Sequence, residues 1–163
     1  MIALVAAASK HGATREIAEA IARSLLTAGI PADVRSIDDV ADPERYDAFV
    51  LGSAVYAGRW MEPARAFVER NRTLLARRPV WLFSSGPVGD PPKPSQEQAV
   101  DVTAIMAATG AREHRLFPGR IDRRHLGLAE RAVMLAVHGE EGDFRDWGAI
   151  MQWATDIAGE LRR

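Results

Sequence analysis

Short apolar runs that alternate with amphipathic segments constrain this chain more than any other feature of its sequence. The runs Ile2–Ala8, Tyr46–Gly52 and Val80–Phe83 are almost entirely apolar, as strands are when helices cover both faces of a parallel sheet. Two further short runs, Ala32–Ile37 and Arg112–Phe117, complete the series. Five strands separated by helices predict a three-layer α/β sandwich, because parallel neighbours need crossovers that are usually helical.

Between these runs, apolar residues recur at steps of three and four, which is the spacing of one helix face. The pattern predicts four helices, over Thr14–Ala28, Glu62–Ala76, Ser95–Gly110 and Trp147–Leu161. Pro118–Gly142 fits none of these units and is far longer than an ordinary connection of about 2–6 residues, so we interpret it as an insertion before the last helix. At this length, residues 1–163 are expected to form a single domain.

Charge and cysteine content exclude several classes of function. The chain carries 21 Lys and Arg against 22 Asp and Glu, so it has no broad positive field, and no nucleic-acid partner is expected. It has no cysteine, which excludes disulfides and iron–sulfur ligation and fits the cytoplasm. The four histidines lack the spacing of metal ligands, so no metal site is expected. Ile2–Ala8 has no basic leader and is far shorter than the roughly 20 residues of a membrane-spanning helix.

Ligands of open α/β sheets bind outside the carboxyl ends of the strands, which directs attention to the loops that follow the first, third and fourth strands. The first of these loops leads into a helix and combines hydroxyl side chains with a glycine; it consists of Ser9, Lys10, His11, Gly12, Ala13 and Thr14. Such a loop is typical of a phosphate cradle at a helix N-terminus, although a helix cap with a turn glycine uses the same residue types. Neither Gly-x-x-x-x-Gly-Lys nor Gly-x-Gly-x-x-Gly is present, which disfavours nucleoside triphosphates and dinucleotides.

The first loop resembles the Ser/Thr-x-x-Gly-x-Thr loop with which short-chain flavodoxins hold the phosphate of FMN. This resemblance implies a flavodoxin-like sandwich with strand order 2-1-3-4-5 and FMN as the cofactor. It gives ring contacts to a second loop, in which Tyr56 is the first candidate for stacking on the flavin; the loop consists of Ser53, Ala54, Val55, Tyr56, Ala57 and Gly58. The backbone of a third loop is expected along the polar edge of the ring; this loop consists of Ser84, Ser85, Gly86, Pro87, Val88 and Gly89.

A narrower resemblance is to the flavodoxin-like menaquinone-dependent protoporphyrinogen oxidases (dehydrogenases) of haem synthesis. It rests on three segments, Lys10–Ala18, Leu51–Trp60 and Phe117–Trp147, the last of which contains the insertion. It implies an FMN-dependent oxidoreductase that passes electrons from a reduced organic substrate to a quinone, with the flavin carrying the chemistry and no side chain required as acid or base. Charge matching to porphyrin propionates adds speculative substrate contacts at Arg59, Arg120, Arg123 and Arg124.

Two features leave alternatives open. Trp60 is either a second ring or substrate contact or a packing residue, and packing is the favoured interpretation. Within the insertion, Leu126–Val137 is apolar around most of a helix circumference, and a quinone, a porphyrin, a peripheral membrane contact or the domain itself could cover it.

Two further functions compete with the leading hypothesis. One is a non-catalytic flavodoxin that carries electrons between proteins, although such carriers are strongly acidic and this chain has a net charge of only −1. The other is a cofactor-free interaction module that retains the fold. A domain of this kind can also form a homodimer, and the sequence does not decide the oligomeric state.

Overall fold

The computed structural model describes residues 1–86, 101–121, 142–143 and 145–163. The strands are β1 (Ala3–Ala8), β2 (Ala32–Ser36), β3 (Ala48–Tyr56), β4 (Arg59–Trp60), β5 (Val80–Gly86), β6 (Glu113–Pro118), β7 (Arg120–Ile121) and β8 (Gly142–Asp143). The helices are α1 (Ala13–Thr27), α2 (Glu62–Arg70), α3 (Arg72–Leu75), α4 (Thr103–Thr109) and α5 (Trp147–Leu161), with short 3-10 turns at Ile37–Asp39 and Pro43–Arg45.

Five parallel strands form the main sheet in the order β2-β1-β3-β5-β6. Strand β4 folds back on the end of β3 as an antiparallel hairpin, so the parallel strands alone have the predicted order 2-1-3-4-5. The predicted α/β sandwich and its strand order are therefore confirmed. The two ends of the predicted insertion meet as the small antiparallel pair β7-β8, and residues 122–141 lie outside the described residues.

The sheet separates two apolar layers, because successive side chains of a strand point to opposite faces. On one face, Val5 packs in a cluster with Ile21 of α1 and Ile157 of α5. On the other face, Leu4 packs in a cluster with Phe67 of α2. Each large side chain buried in this way contributes about 1.5–3 kcal/mol. Among the helices within the described ranges, none is long and apolar enough to cross a membrane.

Several predicted boundaries are wrong. Strand β3 was expected to end at Gly52 but continues to Tyr56, because its last residues pair with both β4 and β5. Strand β5 was expected to end at Phe83 but continues to Gly86 beside β6. The single helix predicted over Glu62–Ala76 is interrupted at Asn71, whose side-chain amide donates to the carbonyl of Phe67 at 2.8 Å.

The remaining helix predictions agree more closely with the structure. Helix α4 ends at Gly110, as predicted, with this glycine in the left-handed conformation (φ 61°) that commonly terminates a helix. Its predicted beginning at Ser95 lies outside the described residues, but the continuous helix predicted over Ser95–Gly110 is wrong at Asp101 and Val102, which precede the first helical residue, Thr103. Helix α5 has the predicted bounds, and Asp146 caps its first turn by accepting from the N–H of Ala149 at 3.0 Å.

Candidate functional site

The register of the sheet brings the three predicted loops to one edge. Ala8 at the end of β1 lies opposite Ser53 of β3, and Ser53 lies opposite Ser84 of β5. Strands β2 and β3 follow β1 in the chain but lie on opposite sides of it in the sheet, so the direction of the strand order reverses at β1. A crevice at such a reversal, outside the carboxyl ends of the strands, is the usual ligand site of an open α/β sheet.

The first loop ends in a helix terminus suited to an anion. Gly12 takes the left-handed conformation (φ 86°), and its N–H donates to Ser9 Oγ at 3.1 Å. The first intrahelical bond of α1 runs from the N–H of Glu16 to the carbonyl of Gly12 at 3.0 Å, so the N–H groups of Ala13 and Thr14 precede it. Within the described ranges, no side chain caps this helix. The terminus therefore presents backbone donors and the positive end of the helix dipole.

Space and donor chemistry at this terminus fit the phosphate of FMN. Among the described residues, a Cβ atom added at Gly12 would meet nothing within 4 Å, so these residues leave its outer side open. Thr14 is buried beneath the loop, and the exposed Lys10 brings a positive charge to it. A phosphate monoester needs several converging N–H donors and positive charge, which this loop supplies.

The second loop is a tight hairpin that carries Tyr56 beside the first loop. Ala57 and Gly58 form its turn, both at positive φ (51° and 73°), and such a conformation is uncommon for alanine. Tyr56 is 38% exposed, and Lys10 Nζ lies 5.5 Å from its ring centroid. Burial raises the pKa of Tyr56, which keeps the phenol neutral. Arg59 is exposed and pairs directly with Tyr56 across the hairpin.

Trp60 and two buried serines hold this hairpin to the sheet. Trp60 is 2% exposed, and its indole N–H donates to Ser84 Oγ at 2.7 Å. Ser53 Oγ accepts from the N–H of Met61 at 2.9 Å and donates to the carbonyl of Ala54 at 2.7 Å. The burial of the Trp60 indole and the pairing of its N–H within the protein agree with the favoured packing interpretation, and a ring or substrate contact for Trp60 stays a prediction. Ala54 and Val55 belong to β3 beside these contacts.

The third loop begins later than predicted. Ser84, Ser85 and Gly86 are buried residues of β5 rather than loop residues, because they pair with β6 and the carbonyl of Gly86 accepts from Gly119 N–H at 2.8 Å. Pro87, Val88 and Gly89 lie outside the described residues, as do Arg123 and Arg124. Arg120 belongs to β7, near the beginning of the predicted insertion.

Two polar clusters near this edge were not predicted from the sequence. His114 of β6 lies 2.7 Å from Ser84 through Nε2. Arg145, just before α5, binds Asp143 and Glu16 of α1. The Asp-x-Arg-x-Trp spacing over Asp143–Trp147 was the only sequence signal for the second cluster, and nothing local marked the first.

The His114–Ser84 pair predicts a pH dependence of stability. Ser84 Oγ accepts from the indole N–H of Trp60 and forms a second hydrogen bond with Nε2 of His114. Burial lowers the pKa of His114 below its ordinary value of 6.5. The unfolded chain then takes up this proton at a higher pH than the folded chain, so the free energy of unfolding falls as pH drops through the unfolded pKa.

We expect His114→Gln to remove this part of the pH dependence, because a glutamine amide can still form a hydrogen bond with Ser84 but does not take up a proton. The urea midpoints of both proteins, compared between about pH 7.5 and pH 5.5, measure the effect. The midpoint of the variant should fall less over this interval. Equal falls in the two proteins would contradict the assignment.

Just over half of this chain is similar in sequence to a curated protein. The chain is 32% identical over 95 residues to protoporphyrinogen IX dehydrogenase [quinone] from Escherichia coli K12, an alignment that covers 57% of this chain and 52% of that protein. The chain thus spans about half the length of the curated relatives it matches. Similar curated proteins come from two other Escherichia coli strains.

Solved flavodoxin structures superpose on the whole chain. A flavodoxin from the domain Archaea aligns over all of both chains with a TM-score of 0.67 at 18% identity. Oxidised flavodoxin 1 from Bacillus cereus aligns over 99% of both chains, also with a TM-score of 0.67 at 18% identity. The family model described as "Flavodoxin domain" matches residues 4–147, and flavodoxins bind FMN. This chain belongs to the flavodoxin domain family.

Proposed function

We propose that this chain is an FMN-binding oxidoreductase that passes electrons from a reduced organic substrate to a quinone. The observation that carries the flavin part is the N-terminus of α1, where Gly12 is at positive φ, no side chain of the described residues caps the first N–H groups, and Tyr56 lies next to Lys10. Membership of the flavodoxin family supports a flavin-binding, electron-transfer role for the same edge of the sheet.

The residues of this chain would bind and orient the cofactor. In the proposal, the first loop holds the phosphate through the N–H groups around Gly12 and Thr14, with Lys10 adding positive charge. Tyr56 offers a ring for stacking, and the rest of the second loop lies against the isoalloxazine edge. FMN itself supplies the electron-transfer chemistry when bound, so the protein's contribution is affinity, access and electrostatic environment.

The finer assignment, a protoporphyrinogen dehydrogenase with a quinone acceptor, draws on the Escherichia coli relative of that name. Arg59 supports it, since this exposed residue pairs with Tyr56 across the hairpin and a guanidinium is suited to a propionate. In the same proposal the reaction takes place in the cytoplasm. The sequence of the insertion has a composition suited to a quinone at a membrane surface, since Leu126–Val137 is apolar and Arg120, Arg123 and Arg124 add positive charge.

The test begins with the visible spectrum of the purified protein during titration with FMN. We expect a bound flavin spectrum and a dissociation constant that is lower for FMN than for riboflavin, which lacks the phosphate. Turnover is then measured with protoporphyrinogen as donor and menaquinone or a soluble quinone as acceptor. Bound flavin that turns over neither substrate would support an electron carrier instead. Failure of the intact protein to bind FMN would rule out both redox functions.

A further inference from the structure

A buried arginine lies behind the candidate phosphate loop. The side chain of Arg145 is only 5% exposed, although it comes from the short segment that precedes α5. Its guanidinium forms two parallel hydrogen bonds with Asp143, from Nε to Oδ1 at 2.8 Å and from Nη2 to Oδ2 at 2.7 Å. Its third nitrogen, Nη1, donates to Oε2 of Glu16. The ring of Trp147 covers the guanidinium, with its centroid 4.5 Å from Cζ of Arg145.

These partners keep Arg145 charged and fixed in place. Hydrogen bonds with Asp143 and Glu16 raise the pKa of Arg145 further above its ordinary range, against the opposing effect of burial. A bidentate pair constrains the plane of the guanidinium as well as its distance from the carboxylate. Asp143 is itself paired with Arg120 in the backbone ladder of β7 and β8. The hydrogen bond between Arg145 and Glu16 joins the segment before α5 to the first turn of α1.

Glu16 is the residue through which Arg145 reaches the loop. The N–H of Glu16 makes the first intrahelical bond of α1, to the carbonyl of Gly12, so this residue closes the turn that carries the candidate phosphate donors. A carboxylate in the first turn repels an incoming phosphate, since both are anions at the same helix end. The positive charge of Arg145 offsets that repulsion while its hydrogen bond holds the turn.

We propose that Arg145 is a positioning residue for phosphate binding, acting through Glu16 on the first turn of α1. The inference rests on the proposed FMN site and assigns to it a residue from outside the three loops. Because the effect is directed at the phosphate, it should distinguish ligands with and without that group. A contribution to general stability would weaken both kinds of ligand together.

The experiment compares FMN and riboflavin dissociation constants, measured by quenching of flavin fluorescence. Arg145→Met should weaken FMN binding roughly tenfold and leave riboflavin binding within error of the wild type. Glu16→Gln in the Arg145→Met background should restore part of the FMN affinity, because it removes one negative charge from the first turn of α1. Arg162→Met is the matched control, since Arg162 contacts the opposite end of α1, at the carbonyl of Ala28 (2.6 Å), and should change neither constant.

Several results would overturn the inference. Equal loss of both flavins in Arg145→Met, or no loss of FMN affinity, would assign Arg145 a purely structural role. If Arg145→Met does not fold, Arg145→Lys takes its place, because lysine keeps the charge without the bidentate fork; its expected loss is smaller and confined to FMN, and loss for both flavins would again overturn the inference. A wild-type protein that fails to bind FMN would remove the proposed function and this inference together, whereas binding with an unchanged FMN-to-riboflavin ratio would remove the inference alone.

Discussion

Gly12→Asp is expected to weaken FMN binding by at least about a hundredfold, because it puts a carboxylate where the phosphate is proposed to sit. Two unit charges about 4 Å apart repel by about 4 kcal/mol near a protein surface, which exceeds the energy of a hundredfold change in affinity. Gly12 has a φ of 86° and open space beyond its Cα, so the aspartate fits without a clash. Aspartate also tolerates the left-handed conformation better than most residues. Titration of flavin fluorescence measures the loss.

Gly29→Asp is the matched control for this prediction. Gly29 also has a φ of 86°, a Cβ there would meet nothing within 4 Å, and it lies just beyond the other end of α1. The two variants therefore introduce the same strain and the same charge. Only the first is expected to lower FMN affinity, and similar losses in both would show that the effect comes from helix stability rather than from the phosphate site.

The central parallel strands could be predicted from the sequence because a strand covered on both faces is almost entirely apolar, whereas the edge strands β2 and β6 carry several polar residues. Ile2–Ala8 illustrates this: within it, the structure buries every residue of β1. The helix α5 was equally clear, since one face alone meets the sheet and its apolar residues recur with the helical period. Once strands and helices alternate, crossover connections leave few possible sheet orders.

The end of the hairpin could not be predicted, because its contacts join residues far apart in the sequence. Ser53 reads as the beginning of a loop, but its hydroxyl accepts from Met61, and the indole of Trp60 reaches Ser84 on another strand. Hydrogen bonds of this kind leave no periodic signal. The loop motif of Ser9–Thr14 was visible because a helix terminus uses consecutive residues, and its role in FMN binding stays a prediction.

The burial of Arg145 could not be predicted either, because it depends on a contact between charged residues that are far apart in the sequence. Charge matching assigned Arg59, Arg120, Arg123 and Arg124 to anionic substrate groups and gave no role to Arg145. The structure instead buries Arg145 between Asp143 and Glu16, two carboxylates separated from each other by more than a hundred positions of the chain. Composition reveals how many charges a segment has, but long-range pairing decides which of them are available to a ligand.

Gly52→Ala is expected to destabilise the fold by about 3 kcal/mol, as overpacking in a well-filled core does. Gly52 pairs with Phe83 across β3 and β5, and a Cβ at this position would lie 2.1 Å from Cζ of the Phe83 ring. The ring has little room to withdraw, because Phe117 and Trp153 pack on it with centroids 6.5 and 6.3 Å away. The urea midpoint of unfolding measures the loss.

Two further variants separate steric conflict from the general effect of replacing a glycine. Gly159→Ala, within α5, meets nothing within 4 Å and is expected to raise stability by roughly 0.5–1 kcal/mol, because alanine is the better helix former. Phe83→Leu in the Gly52→Ala background should recover part of the lost stability, since a shorter side chain vacates the space that the new methyl group needs. Additive losses in the double variant would contradict the steric explanation.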